Sequence, residues 1–303
     1  MKYLKYAMIL ISLTGCGTPE SEDSISWPPF EHNTQPDKFG LLLDNAVEGI
    51  RYISGAHYGT TNSDGSFGYI EGEDIHFYIG NIKLGHSISP TDKITPYELA
   101  DGNTLATLNI ARLLQTLDND SNLDNGIQIS EETHLIAKDT NISFDNTLWP
   151  DSPELEANYP DLLNTVYELT SVTDEGERGL IGKGDAYSHY SLTLDTLIDD
   201  TGNMINEIAN QSTCDTNEQC IADELSTKYL FYCPPPGPLV VYSQKDIDKT
   251  LYDTLVNERD RLIQIKQNIR SVALVDNTTG FCQTWNASYS LICNDQSHCE
   301  IQY

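Results

Sequence analysis

The stretch Gly59-Thr60-Thr61-Asn62-Ser63-Asp64-Gly65-Ser66-Phe67 determines the fold predicted for the first half of the chain. Its Asp-Gly pair is a strong turn signal, and strand-forming residues flank the pair on both sides. Strand-like runs lie before it at residues 47–52 and after it at residues 75–79. Short strands at a spacing of about 8–12 residues are typical of a small β-sandwich. The sequence therefore predicts a hairpin at Asp64-Gly65 within such a sandwich.

This region resembles a known class of β-domain. A Val-x-Gly strand (residues 47–49), a Thr-x-x-Asp-Gly-x-Phe hairpin (residues 61–67) and a following strand stand in a characteristic order. The carboxypeptidase-regulatory-like, transthyretin-like domains of bacterial surface proteins have the same order. The resemblance covers residues 40–85, and it implies a binding or spacing module without catalytic residues.

Upstream of the module, residues 1–15 have the pattern of a signal peptide. Two lysines precede an apolar run over residues 6–13, which is too short to span a bilayer. The run ends in Leu13-Thr14-Gly15-Cys16, which resembles the lipobox of bacterial lipoproteins. The resemblance implies cleavage before Cys16 and lipid attachment to that cysteine. The alternative is an ordinary secretory signal that happens to contain a cysteine.

Residues 16–38 are expected to form a lipidated, flexible linker, because prolines and small polar residues leave little to bury. Gly17 stands where lipoproteins retained in the inner membrane carry Asp, which implies the outer membrane. Membrane attachment is therefore predicted through the lipid on Cys16, at the periplasmic face or the cell surface. No later stretch has the roughly 18 uninterrupted apolar residues of a membrane-spanning helix.

The charge balance restricts the partners. Asp and Glu together number 46, and Lys and Arg number 17, which gives a formal net charge of -29. Such a chain repels phosphate backbones, so nucleic acid is excluded as a partner and anionic lipid headgroups are disfavoured. Cations are the favoured ligands, with Ca²⁺ as the first candidate. The alternative is that the acidic surface serves only solubility.

An acidic loop follows a predicted helix at residues 105–117. Oxygen-bearing side chains alternate through it as in an EF-hand, although the glycine comes later than in a true EF-hand. Ser130 caps a short helix after the loop, and Ser130 or Glu132 could replace Glu131 as the last ligand. The alternative is an Asn/Asp-rich turn without an ion. The predicted Ca²⁺ ligands are Asp118, Asp120, Asn122, Asp124 and Glu131.

Residues 114–127, which contain Leu-Gln-Thr-Leu-Asp-x-Asp and then Asn-Gly-Ile, resemble surface lipoproteins of proteobacteria to which no activity is attached. A proline-marked stretch at residues 149–160 separates the two halves of the chain. Helices are predicted at residues 160–170, 187–199 and 204–211. A long amphipathic helix is predicted to open at Ser243, because Ser243-Gln244-Lys245-Asp246 is similar to a capping box.

Six cysteines lie in this second half, and an even number in an exported chain indicates disulfides. The short spacings suggest local pairs Cys214–Cys220 and Cys293–Cys299, which leaves Cys233 to pair with Cys282. A zinc site is disfavoured, because no Cys-x-x-Cys occurs and only His298 is near. The block resembles a cysteine-rich module of secreted bacterial proteins of unknown role. The cysteines are Cys214, Cys220, Cys233, Cys282, Cys293 and Cys299.

Catalytic signatures are absent from the sequence. It contains no Gly-x-Ser-x-Gly, no His-Glu-x-x-His, no phosphate loop and no Gly-x-Gly-x-x-Gly. The best candidate for a general base is His189, with Asp185 and Asp195 nearby in sequence. The alternative is a histidine that packs on a helix face. We therefore predict no catalytic residues.

Together these patterns predict an α+β fold with four segments. Residues 1–15 are the signal peptide and 16–38 the linker; residues 39–148 form a β-sandwich-like module with a helix and the acidic loop. Residues 149–303 form a disulfide-rich, mainly helical domain. The leading functional prediction is an outer-membrane lipoprotein, stabilised by Ca²⁺, with a binding or structural role. The alternatives are an envelope hydrolase that uses His189 and carboxylates, and an inhibitor or partner-capturing protein.

Overall fold

The structure is a computed structural model that describes residues 27–29, 31–144, 147–152, 154–228, 237–274 and 289–302. Cys16, Cys233 and Cys282 lie outside these ranges, as do the predicted signal peptide and most of the linker. The predicted α+β class is confirmed: sheets dominate the first half, and long helices with two disulfides dominate the second. In the described residues, no helix is long and apolar enough to span a membrane.

The strands of the first half form two main sheets and one small parallel pair. The strands are β1 (Lys38–Leu42), β2 (Val47–Glu48), β3 (Arg51–Ser54), β4 (His57–Thr60), β5 (Ser66–Tyr69), β6 (Ile75–Ile79), β7 (Ile82–Lys83), β8 (Lys93–Ile94) and β9 (Ile127–Gln128). The sheet orders are β5-β1-β8 and β4-β3-β6-β7, and β2 pairs with β9.

The Asp64-Gly65 turn is present, but the predicted hairpin is wrong. β4 pairs with β3 and β5 pairs with β1, so the turn carries the chain from one sheet to the other. Gly65 has φ +78°, and a Cβ there would lie 2.5 Å from the Leu42 carbonyl oxygen. Only glycine permits this approach, in which the Leu42 N–H donates to the Gly65 carbonyl at 2.9 Å.

Aromatic side chains fill the space between the two sheets. Phe67 of β5 and Phe77 of β6 meet edge to face with ring centroids 5.2 Å apart. The Tyr52 hydroxyl accepts a hydrogen bond from the Gly68 N–H at 3.0 Å, which joins β3 to β5. The first half is therefore built on two sheets that share one buried aromatic core.

Seven α-helices lie in the described residues. They are α1 (Pro96–Leu99), α2 (Thr104–Thr116), α3 (Glu131–Ile136), α4 (Glu154–Asn158), α5 (Pro160–Thr170), α6 (Lys183–Gln211) and α7 (Lys249–Ala273). The predicted helix at 105–117 is α2, and α5 has the predicted bounds. The two helices predicted at 187–199 and 204–211 are one continuous helix, α6.

Two helix boundaries differ from the predictions, each for a physical reason. Gly202 does not break α6, because the helix packs along α7 there and the Arg259 side chain lies next to the glycine. Helix α7 begins at Lys249, with the Asp248 side chain accepting the Leu251 N–H at 3.0 Å. Ser243 instead ends a strand, so the capping-box pattern did not mark the helix start.

Helix α2 is the centre of the molecule, and all of its residues from 106 to 116 are buried. Most of its apolar side chains belong to a core that also contains Leu155, Val166 and Leu169. Leu108 instead joins a second core formed with α6 and α7. Hydrophobic packing therefore continues across residue 149, where the sequence predicts a domain boundary.

The disulfides link segments that are far apart in the sequence rather than neighbouring cysteines. The disulfides are Cys214–Cys293 and Cys220–Cys299, each spanning a sequence separation of 79 residues. The predicted local pairs are wrong, because the chain after α6 runs beside the last hairpin. Cys214 and Cys220 have the same spacing as Cys293 and Cys299, so each cysteine lies opposite its partner in the neighbouring segment. The strands involved are β10 (Cys220–Glu224), β11 (Leu239–Ser243), β12 (Ser290–Cys293) and β13 (Cys299–Gln302).

Candidate functional site

A groove of about 420 Å³ lies where the first sheet, the acidic loop and α6 meet. This volume is within the range of about 300–1,000 Å³ that is typical of small-molecule sites. Polar side chains stand at its base and rim. Its apolar lining comes from Leu41, Leu43, Ala46, Leu123, Leu192 and Leu197.

Asn45 joins the three walls of the groove. It occupies a tight turn between Leu43 and Ala46, and its φ of +61° is one that asparagine tolerates. Its backbone N–H donates to the Thr193 hydroxyl on α6 at 2.6 Å. Its side-chain amide donates to the Leu123 carbonyl in the acidic loop at 3.0 Å. The turn therefore fixes the position of both the helix and the loop.

A buried carboxylate stands behind the groove next to His189. Asp44 is completely buried, and its Oδ2 accepts from the Gln115 side-chain amide at 2.8 Å. In the described part of the chain its Oδ1 has no hydrogen-bond partner, and it lies 3.8 Å from His189 Nε2. Burial raises the pKa of Asp44 to about 6, although His189 and Gln115 oppose this shift.

This pair can orient an imidazole and exchange a proton with a ligand. His189 lines the groove, and its Nε2 faces both the carboxylate and the backbone oxygen of Asp44, the latter at 3.3 Å. A carboxylate behind a histidine fixes the orientation of the imidazole ring. The same geometry serves binding of a polar group or general acid–base chemistry.

The rim of the groove is acidic. Asp124 and Asp200 both line it, and Lys93 is paired with Asp200 at 3.4 Å. The ion pair of Lys93 with Asp200 is exposed, so it adds little stability, but Asp200 neutralises the charge of Lys93. The groove therefore presents apolar walls and a surplus of carboxylate to a ligand.

The five predicted Ca²⁺ ligands do not surround one point. Asp124 lines the groove, and Glu131 opens α3 and forms an ion pair with Arg51. Asp118 and Asp120 lie side by side. Asn122 lies in the same loop, where its backbone N–H donates to Asp120 Oδ1 at 2.9 Å.

Among the described histidines, cysteines and acidic residues, the group whose ligand atoms lie within reach of one ion is Cys214, Cys220 and Cys299, whose sulfurs are consumed in disulfides. Of the predicted Ca²⁺ ligands, Asp118 and Asp120 are the carboxylates that lie close together.

Sequence reasoning found His189 but not its partner. Asp195 is held by Lys266 at 2.7 Å, and Asp185 lies near Gly182, so neither faces His189. Asp44 precedes the histidine by 145 positions. Its only local signal is the Asp-Asn turn between two apolar runs, and such a turn does not by itself indicate burial.

Comparisons with known proteins return no match. No protein-family model, no curated protein and no solved structure matches the chain. The resemblances to bacterial lipoproteins and transthyretin-like domains stay predictions from the sequence.

Proposed function

We propose that the protein is a lipid-anchored binding protein of the outer membrane. Its groove would bind a ligand with an aliphatic part and a cationic group. The single observation that carries this proposal is the groove itself, which combines leucine walls with Asp124 and Asp200 at its rim and Asp44 behind it. The net charge of -29 adds a field that attracts cations and repels nucleic acid.

Two features support a position outside the cytoplasm. Disulfides persist in oxidising compartments, and the described chain holds two of them. The lipobox at residues 13–16 supports attachment through lipid on Cys16. Mass spectrometry of protein purified from membranes tests the anchor: the expected species begins at an acylated Cys16, and an unmodified start overturns it. Protease treatment of intact cells separates outward display from a periplasmic position.

The ligand class is tested with a matched pair of probes. Hexylamine and hexanoate have the same aliphatic length and opposite charges, so they separate the apolar contribution from the electrostatic one. We expect hexylamine to shift the NMR signals of the groove residues at concentrations where hexanoate does not. Equal binding of the two probes would contradict a cationic preference, and binding of neither would contradict the groove as a site.

Occupation of the groove is tested by filling it. Thr196 lines the groove on an exposed turn of α6, so Thr196→Trp should reduce hexylamine affinity at least tenfold without unfolding the helix. Thr254→Trp on α7 is the matched control, because Thr254 is also exposed and also donates to the carbonyl four residues earlier. Unchanged affinity in Thr196→Trp would place the binding elsewhere.

The Asp44–His189 pair favours a second candidate function, an envelope hydrolase in which His189 activates water. In that case a screen of simple esters such as p-nitrophenyl acetate should reveal activity that His189→Ala abolishes. A folded wild-type protein with no activity in such a screen would leave binding as the favoured function.

A further inference from the structure

Two carboxylates of the acidic loop, those of Asp118 and Asp120, lie within hydrogen-bonding reach of each other. Asp118 is completely buried, and its Oδ1 accepts from the Gln128 N–H at 2.8 Å. Its Oδ2 is also buried and has no hydrogen-bond partner among the described residues. An unpaired buried acceptor is costly, so this oxygen indicates a missing positive partner.

The nearest cationic side chain does not fill this role. Arg178 donates from Nε to the Thr116 carbonyl at 3.0 Å and from Nη1 to the Thr173 hydroxyl at 2.7 Å. Its Nη2 donates to the backbone carbonyl of Asp118, not to the carboxylate. The positive charge of the guanidinium therefore offsets part of the cost of burying the Asp118 carboxylate, but it leaves Oδ2 without a hydrogen bond.

We propose that a hard divalent cation binds between the carboxylates of Asp118 and Asp120. Oxygen ligands suit both Ca²⁺ and Mg²⁺, and an ion held by two carboxylates completes its shell with water and backbone carbonyls. This site is smaller than the five-residue set predicted from the sequence, and it excludes Glu131, which pairs with Arg51 on another element.

The cation would also stabilise one wall of the groove, a step that rests on the proposed function. Asp120 Oδ2 accepts from the Asn125 side-chain amide at 2.9 Å, which fixes the short turn of residues 123–125. That turn supplies Leu123 and Asp124 to the groove. Because coupling between two sites is reciprocal, the cation should strengthen ligand binding and the ligand should strengthen cation binding.

The site is tested on the full chain after treatment with EDTA. Titration calorimetry with CaCl₂ and, separately, MgCl₂ should show a single site, and the preferred ion should raise the melting temperature. Asp120→Asn should weaken this binding at least tenfold. Asp64→Asn is the matched control, because Asp64 Oδ1 also accepts from the N–H two residues later at 2.9 Å. Glu131→Gln should bind the ion as the wild type does.

The outcomes separate the proposals. No heat and no thermal shift with either ion at millimolar concentration would overturn the cation site. So would an Asp120→Asn variant that binds the ion as tightly as the wild type does. Hexylamine affinity should rise several-fold with the ion present; an unchanged affinity would remove the coupling and keep the site. Ion binding without any hexylamine binding would contradict the groove function alone.

Discussion

At the scale of single residues, His134 shows how a neutral imidazole can act as a structural link. Its Nδ1 accepts from the Gly80 N–H at 2.8 Å, and its Nε2 lies 2.7 Å from the Gly49 carbonyl. The first bond requires a bare nitrogen and the second a protonated one, so the neutral ring fits both. Burial lowers the pKa of His134 to about 4.

We predict that His134 makes the fold sensitive to acid. A folded pKa below the unfolded value near 6.5 means that stability is full above pH 6.5 and is lost as pH falls towards 4. The loss should reach about 2–3 kcal/mol at pH 4.5. Urea unfolding of the wild type and of His134→Gln at pH 7.5 and 4.5 measures it. If both proteins lose the same free energy of unfolding, His134 is not responsible.

Asp44 should have the opposite dependence. Its folded pKa of about 6 lies above its ordinary value of 3.8, so its contribution to stability falls as pH rises between these values. Asp44→Asn keeps an acceptor for Gln115 and should therefore be more stable than the wild type at pH 8, by about 1–2 kcal/mol. Hexylamine binding should weaken in the same variant. Lower stability at pH 8 would contradict the cost assigned to the buried carboxylate.

At the scale of elements, the sequence predicts local periodicity well and long-range pairing poorly. Helices α2 and α5 follow from apolar spacing, because apolar side chains at helical intervals pack into the core, although α2 is buried on all sides from residue 106 to 116. The Asp64-Gly65 turn is also local and correct. Its hairpin is not, since strand partners depend on contacts such as Leu42 with Gly65 that no local pattern encodes. For the same reason, the sequence does not reveal that Asp44 lies beside His189.

Helix α6 gives a prediction at this scale. Gly202 lies inside the helix, and an added Cβ would meet the Arg259 side chain at 3.5 Å, an ordinary contact distance. Gly202→Ala should therefore stabilise the protein by about 0.5–1 kcal/mol through helix propensity. Chemical denaturation of the two proteins under identical conditions measures the change. A decrease in stability would show that α6 needs the glycine for its packing on α7.

At the scale of the whole molecule, the two disulfides hold the end of the chain against the region that follows α6. Peptide mapping without reduction should recover Cys214 with Cys293 and Cys220 with Cys299. The double variant Cys214→Ser, Cys293→Ser should lose about 2–5 kcal/mol of stability. Recovery of the local pairs Cys214–Cys220 and Cys293–Cys299 from folded protein would contradict this arrangement.

The order of the cysteines has a consequence for biogenesis. On the proposed location outside the cytoplasm, the chain would cross the membrane amino end first, so Cys214 and Cys220 would meet the oxidising machinery before their native partners, 79 residues later, emerge. A catalyst that joins thiols in order of arrival would produce the short-range bond first. We therefore predict that maturation needs an enzyme that reshuffles mispaired bonds, and that a host strain lacking such an isomerase accumulates a trapped, protease-sensitive form.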